Sequence, residues 1–233
     1  FSMTTAIVVN LAAVVATTIV ALSVQQFHFD VEITLWTQHL DLGPLRFFRD
    51  WLFWMGNIGV AGVLLVAISV LLWYKGYLIE ACFVVMTAVP NLLNYVLRAV
   101  IARPRPTVEL VEVIGGPQGF SFPSGHALHV SFFYGFLIYL AVRLLTNKRL
   151  INTILASGIV YIPFSGLWLI YDGRHWFTDT LGGYVYGSFY LLVWIAAYRW
   201  AKNTVEMRGQ FTLILKPLIR FHPRPERYPP RPS

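Results

Sequence analysis

The chain has 233 residues, of which 57% are hydrophobic and 12% charged. Soluble domains carry about 25% charged residues, so a soluble core of this length would not need so apolar a composition. The single cysteine, Cys82, excludes a disulfide framework within the chain and, lying in an apolar run, reads as an inert packed thiol. The net charge of +7 would suit nucleic acid. The basic residues flank apolar runs instead of gathering into a patch, so the expected partner is the bilayer and no nucleic acid.

A hydrocarbon core of ~30 Å takes roughly 20 apolar residues as helix. Six stretches reach that length, at about 5–24, 53–73, 77–99, 126–145, 150–171 and 178–200. The first is Ala/Val-rich and uncharged. It lacks a basic leading segment and exceeds the apolar region of a signal peptide, about 7–15 residues, so it reads as a retained span. Residues 25–50 form the longest polar connection, and Leu45-Arg46-Phe47-Phe48 within it suggests an interfacial helix. Trp51 and Trp54 open the second span and Trp73-Tyr74 close it, as expected of amphipathic rings at two headgroup layers. Pro90 and Pro163 fall inside spans three and five, where neighbours must satisfy the freed carbonyls. Gly183 and Gly187, early in span six, have a spacing that lets another helix approach closely. From residue 201 the chain turns basic and then Pro/Arg-rich, which predicts an extended tail drawn to anionic lipid. The expected fold is therefore all-α: a polytopic membrane protein with six transmembrane helices in one bundle over 1–200, then a basic tail over 201–233.

Six spans place both termini on one side. Lys75, Arg143, Lys148, Arg149, Arg199 and Lys202 fall there, with the basic tail. Arg46, Arg49, Arg98, Arg103, Arg105 and Arg174 fall on the other side, together with most of the acidic residues. The positive-inside bias then puts the termini in the cytoplasm and the second group at the extracytoplasmic face.

Three polar segments converge at that face. Ser124 is a good helix N-cap, and Gly125 after it would let an oxyanion approach free N–H groups before His126. His175 and Asp179 are spaced i, i+4, so the carboxylate can hold one ring nitrogen and leave the other free to attack. Arg98, Arg103 and Arg105 bring guanidiniums, which bind phosphate oxygens bidentately. Each element alone has an ordinary reading, as a cap, a structural His–Asp pair or snorkelling arginines. Together they point to a phosphate held and cleaved beside a membrane. His126 and His129 could also form a metal pair, but no further ligands accompany them.

Arg98-x6-Arg105-Pro106, Pro123-Ser124-Gly125-His126 and His175-x3-Asp179 resemble the three signature blocks of the type 2 phosphatidic acid phosphatase superfamily, over about residues 77–200. That superfamily includes lipid phosphate phosphatases and is related to vanadium haloperoxidases. The resemblance implies catalytic roles for His175 as nucleophile, Asp179 as its orienting partner and His126 as acid and base. It implies that Arg98, Arg105, Ser124 and Gly125 bind the substrate phosphate, with no cofactor and no metal. The implied substrate is a phosphorylated lipid of the undecaprenyl diphosphate, phosphatidylglycerophosphate or phosphatidate type. Two positions depart from the pattern. Arg98 stands where the first block usually begins with lysine. Trp168 and Leu169 stand where the third block usually has Ser-Arg, so Arg174 or Arg103 is expected to supply the missing cation. The alternatives are a lipid phosphotransferase with another lipid as acceptor, or a non-catalytic phospholipid-binding homologue.

Overall fold

The structure, a computed structural model, describes residues 2–42, 45, 48, 49, 51, 54, 58–116 and 118–208, with backbone only at 58 and 206–208. Every regular element among the described residues is helical. Helix α1, Met3–Ser23, starts where the Ser2 side chain accepts the Thr5 N–H at 3.1 Å. It is apolar all round and mostly exposed, as befits a helix facing lipid. A short helix, α2 (His28–Gln38), occupies the polar connection where the sequence predicts only the segment around Leu45–Phe48. That segment falls partly outside the described residues. Helix α3, Ile58–Tyr74, is the second span. Its 17 residues rise about 25 Å, and Trp51, Trp54, Trp73 and Tyr74 around it are all exposed.

The third span is broken. Helix α4, Leu78–Val85, gives way at Met86 and Thr87 to α5, Ala88–Ile101. The Thr87 hydroxyl donates to the Val84 carbonyl at 2.6 Å, and the Val89 N–H takes up the Met86 carbonyl at 3.1 Å. Pro90 therefore sits in a first helical turn, where its missing N–H leaves no gap. The fourth span runs through α6 (Gly125–His129), a π turn (Val130–Tyr134) and α7 (Gly135–Leu144). Helix α8, Lys148–Tyr171, is capped by Asn147, whose side chain accepts the Arg149 and Leu150 N–H groups at 3.0 and 3.2 Å. Helix α9, Phe177–Arg208, continues past the expected boundary at 200, so residues 201–208 are helical instead of extended. The tail beyond 208 lies outside the described residues.

Five of these segments are long and apolar enough to cross a membrane, and α3 adds a shorter apolar helix. The bundle closes around α9. A Cβ at Gly183 would lie 2.6 Å from the Ser124 carbonyl oxygen, and one at Gly187 would lie 1.9 Å from Ser131 Oγ. The glycine pair thus seats α9 directly on α6 and the π turn, as its spacing predicts. Helix α1 docks on the same helix, with Ser188 Oγ donating to Asn10 Oδ1 at 2.7 Å. Glu80, the charge far from the predicted site, is buried and accepts from Lys202 Nζ at 2.6 Å and Tyr198 OH at 2.8 Å. Burial of a carboxylate there is compensated by a cation and a hydroxyl. Cys82 is exposed on α4 and not packed as expected, because it shares the lipid-facing side of that helix.

Candidate active site

The end of α5 fixes the arginines. Ala102 takes a left-handed conformation (φ 52°) and stops the helix. Pro104 and Pro106 then bias residues 103 and 105 away from helical backbone. Arg105 turns toward His175. Its Nη1 lies 3.2 Å from His175 Nε2 and donates to the Arg174 carbonyl at 2.5 Å, while its Nε donates to the Gly119 carbonyl at 3.1 Å. Burial, and then the neighbouring Arg98, lower the Arg105 pKa to about 10, so the group remains cationic at neutral pH. Arg98, on the last turn of α5, donates from Nε to the Phe120 carbonyl at 2.9 Å.

Arg103 goes the other way, which corrects the expectation of it as an alternative to Arg174 for the missing phosphate-facing cation. It is fully buried. Its Nε donates to the Gln25 carbonyl at 3.0 Å, Nη1 to Asp179 Oδ1 at 2.6 Å and Thr178 Oγ1 at 2.7 Å, and Nη2 to Asp30 Oδ2 at 3.0 Å. Asp30 on α2 also accepts the Thr178 N–H at 2.9 Å and the Thr178 hydroxyl at 2.7 Å. A guanidinium engaged on every nitrogen between two carboxylates has little left for a substrate. It fixes the start of α9 instead.

Asp179 is thereby immobilised. Its Oδ2 accepts the Trp176 N–H at 2.9 Å and lies 3.7 Å from His175 Nδ1. The latter is an ion-pair distance, too long for a hydrogen bond. The carboxylate still favours a proton on Nδ1 and leaves the Nε2 lone pair toward Arg105. His175 is only 5% exposed. Burial pushes its pKa down to about 4, with Asp179 opposing the shift and Arg105 adding to it.

The middle block joins both others. The Ser124 N–H donates to the Asp179 carbonyl at 3.0 Å, and its hydroxyl accepts the Ala127 N–H at 3.4 Å, so the predicted N-cap forms and Ser124 is buried. A Cβ at Gly125 would lie 3.0 Å from Asn94 Nδ2 and 3.5 Å from Arg98 Nη1, so a bare backbone is what lets α5 approach. His126 lies within electrostatic reach of His129, His175 and Arg174.

Trp168 and Leu169, at the departing positions, are buried in the bundle. The Leu169 carbonyl accepts the Arg174 and His175 N–H groups at 3.0 and 3.3 Å, which shapes the turn into α9. Arg174 Nε lies 3.5 Å from Asp172 Oδ2, and Arg49 Nε lies 3.0 Å from Asp172 Oδ1. Desolvation lowers the Arg174 pKa, and Asp172 opposes that. Gly115, at φ +82°, passes over the Arg174 guanidinium, where a Cβ would meet Nη2 at 2.3 Å. The neighbouring loop is pinned by Gln38, whose Nε2 donates to the Glu112 and Tyr171 carbonyls at 2.7 and 2.9 Å.

A cavity of about 480 Å³ opens beside Arg98, Gly125 and His126. A larger, apolar one of about 1080 Å³ lies between α3, α7 and α8 and holds none of the predicted site residues. Among the described residues no three His, Cys, Asp or Glu side chains gather as metal ligands. His129 is paired to Asn91, with Nδ1 at 3.0 Å from Asn91 Nδ2. Sequence reading missed Asp30, Arg49, Gln38, Asn91 and Asn94. Only the two asparagines carried a signal, as polar residues at helical spacing from Arg98 within an apolar span.

The family model of the PAP2 superfamily matches residues 79–204. Phosphatidylglycerophosphatase B of Bacillus subtilis (strain 168) is 34% identical over 102 residues, which is 42% of this chain and 47% of that protein. The match thus spans about half the length of that curated relative. The crystal structure of the first transmembrane PAP2 type phosphatidylglycerolphosphate phosphatase from Bacillus subtilis superposes with a TM-score of 0.69 at 20% identity, covering 79% of this chain and 94% of that one. At that identity the likeness speaks for the fold.

Proposed function

The chain belongs to the PAP2 superfamily, and on that premise we propose that it is a membrane lipid phosphatase working through a phosphohistidine. The observation that carries this reading is Arg105 Nη1 at 3.2 Å from His175 Nε2, with Asp179 beside the other ring nitrogen. A phosphate oxygen bound by Arg105 would hold phosphorus next to the attacking lone pair, which is the positioning such a reaction needs.

In the first half, His175 Nε2 attacks phosphorus, a P–N bond forms and the P–O bond to the lipid alcohol breaks. His126 gives its proton to the departing oxygen. In the second half, His126 takes a proton from water, the water oxygen attacks phosphorus, and the P–N bond breaks to release inorganic phosphate. Arg98, Arg105 and the backbone at Gly125, the last set by the Ser124 cap, stabilise the equatorial oxygens. Arg174 adds positive potential beside His126 in place of the cation absent at Leu169. These guanidiniums do the neutralising work, so the reaction is expected to run without metal. The loop basic residues support cytoplasmic termini and a site at the extracytoplasmic face. The substrate is a lipid phosphate or diphosphate of the undecaprenyl diphosphate, phosphatidylglycerophosphate or phosphatidate type.

The test is phosphate release from those lipids in EDTA, with and without an acceptor lipid. Release without acceptor, abolished by His175→Ala, is the expected result. Release only with acceptor would make the protein a phosphotransferase, and equal release by His175→Ala would remove the nucleophile.

A further inference from the structure

Helix α2 has its polar side in and its apolar side out. Its buried residues are Asp30, Thr34 and Thr37. The two hydroxyls bond within the helix, Thr34 Oγ1 to the Asp30 carbonyl at 2.8 Å and Thr37 Oγ1 to the Thr34 carbonyl at 2.7 Å. Phe29 is 42% exposed and Trp36 64%, with half-buried Ile33 between them. Positions 29, 33 and 36 follow an i, i+4, i+7 pattern, so they form one apolar stripe.

The helix is tied near both ends to the ends of spans. Near its start, Asp30 accepts the N–H and hydroxyl of Thr178, in the first turn of α9, at 2.9 and 2.7 Å. At its last residue, Gln38 Nε2 donates to the carbonyl of Tyr171, the last residue of α8, at 2.9 Å. The helix therefore lies across the span ends, where hydrocarbon gives way to headgroups. Gln38 also exchanges two hydrogen bonds with the Glu112 backbone, donating to its carbonyl at 2.7 Å and accepting its N–H at 3.2 Å. The loop between spans three and four thus covers that side of α2. With 3.6 residues per turn, the stripe lies roughly 140–180° round the helix from Gln38. That loop lies beyond the span ends, so the opposite side faces the bilayer. Only residues 24–27 separate α2 from α1, whose exposed apolar surface continues the stripe.

We infer that α2 lies in the plane of the headgroup–acyl boundary, with Phe29, Ile33 and Trp36 docked in the lipid leaflet on the active-site side. Tryptophan is at home at that depth, and a helix with one apolar flank is held there by the area it buries. The exposed His28–Glu32 pair, 3.5 Å apart, forms the edge toward headgroups and water. Helix α2 also brings Asp30 to Arg103, at 3.0 Å, so the lipid seats one support of the site. That consequence rests on the phosphatase reading; the docking surface does not.

The test places a nitroxide at position 36 or 28, through Trp36→Cys or His28→Cys in a Cys82→Ser chain, reconstituted whole in phosphatidylcholine vesicles. Collision with a water-soluble nickel chelate is expected to be about fivefold lower at 36 than at 28, with oxygen collision higher at 36. Equal chelate collision at the two positions would overturn the docking surface. Exclusion of both oxygen and chelate at 36 would overturn lipid as the occupant, because protein would then cover the stripe. If Trp36→Cys misfolds, quenching by brominated phosphatidylcholine decides. The fluorescence difference between the parent and Trp36→Phe should report a strongly quenched ring, and an unquenched one would overturn the inference. For the consequence, Trp36→Asp should lower kcat in vesicles roughly tenfold, and far less in the Asp30→Ala background, where the support is already cut. The same loss in both backgrounds, or none, would overturn the link to the site. A parent that releases no phosphate would overturn the phosphatase reading and this link, while the nitroxide result still decides the docking surface.

Discussion

Asp30→Ala tests how the site is held. Asp30 is fully buried and takes three hydrogen bonds, from Arg103 Nη2 at 3.0 Å, the Thr178 N–H at 2.9 Å and the Thr178 hydroxyl at 2.7 Å. Removing it leaves those donors unpaired and Arg103 with a single carboxylate, Asp179. Breaking a buried ion pair from one side costs about 3–5 kcal/mol. The same loss acts on catalysis, because Arg103 then leans wholly on Asp179, the group that orients His175. Loss of an orienting carboxylate itself can cost about 10⁴ in kcat. Asp30 acts one step removed, so roughly 10–100-fold is expected, equivalent to about 1.4–2.7 kcal/mol in the barrier. KM should barely change. Asp30→Asn, which retains an acceptor, should fall between parent and Asp30→Ala on both measures. The assays are thermal unfolding in detergent and phosphate-release kinetics well below the unfolding temperature. An Asp30→Ala protein with parental unfolding temperature and parental kcat would refute the argument that this network positions the nucleophile.

The acid limb of kcat/KM reports the free enzyme's base. His175 must be neutral to attack, and its pKa is lowered to about 4, so activity should fall only as the pH drops through that value. Asp179→Asn removes an influence that raises the pKa and should shift the limb to lower pH; a limb between 6 and 7 in the parent would contradict this. Arg174→Ala should lower kcat/KM roughly 100-fold if it supplies transition-state charge, and unchanged kinetics would remove it from that role. Gly187→Ala would place a methyl 1.9 Å from Ser131 Oγ and 2.8 Å from the Leu128 carbonyl. Such overpacking should destabilise the bundle by about 1–3 kcal/mol, seen as a shorter half-life in detergent.

The spans were legible because runs of apolar residues have to match the hydrocarbon thickness, and the helix start at Ser124 followed from capping chemistry. The Gly183/Gly187 pair was legible because only a bare backbone permits that approach to α6. What could not be read was direction. Arg103 and Arg105 look equivalent in sequence, and an extended run would put both on one side, yet the folded chain brings one to Asp179 and the other to His175. Asp30 belongs to no motif and sits in a polar connection, and only the folded chain brings α2 against the start of α9. Asn91 and Asn94 were visible as polar residues in an apolar span. Their relation to His129 depends on how α5 and α6 pack, which periodicity does not specify. The extension of α9 to Arg208 was hidden because polar residues beyond the membrane can continue a helix as readily as end it.

The most direct measurement is rapid quenching of the protein with a lipid carrying a radiolabelled terminal phosphate. The account predicts an acid-labile, base-stable phosphoryl group on His175, formed within the first turnover and absent from His175→Ala. Turnover with no trapped label, or with the label on another residue, would contradict it.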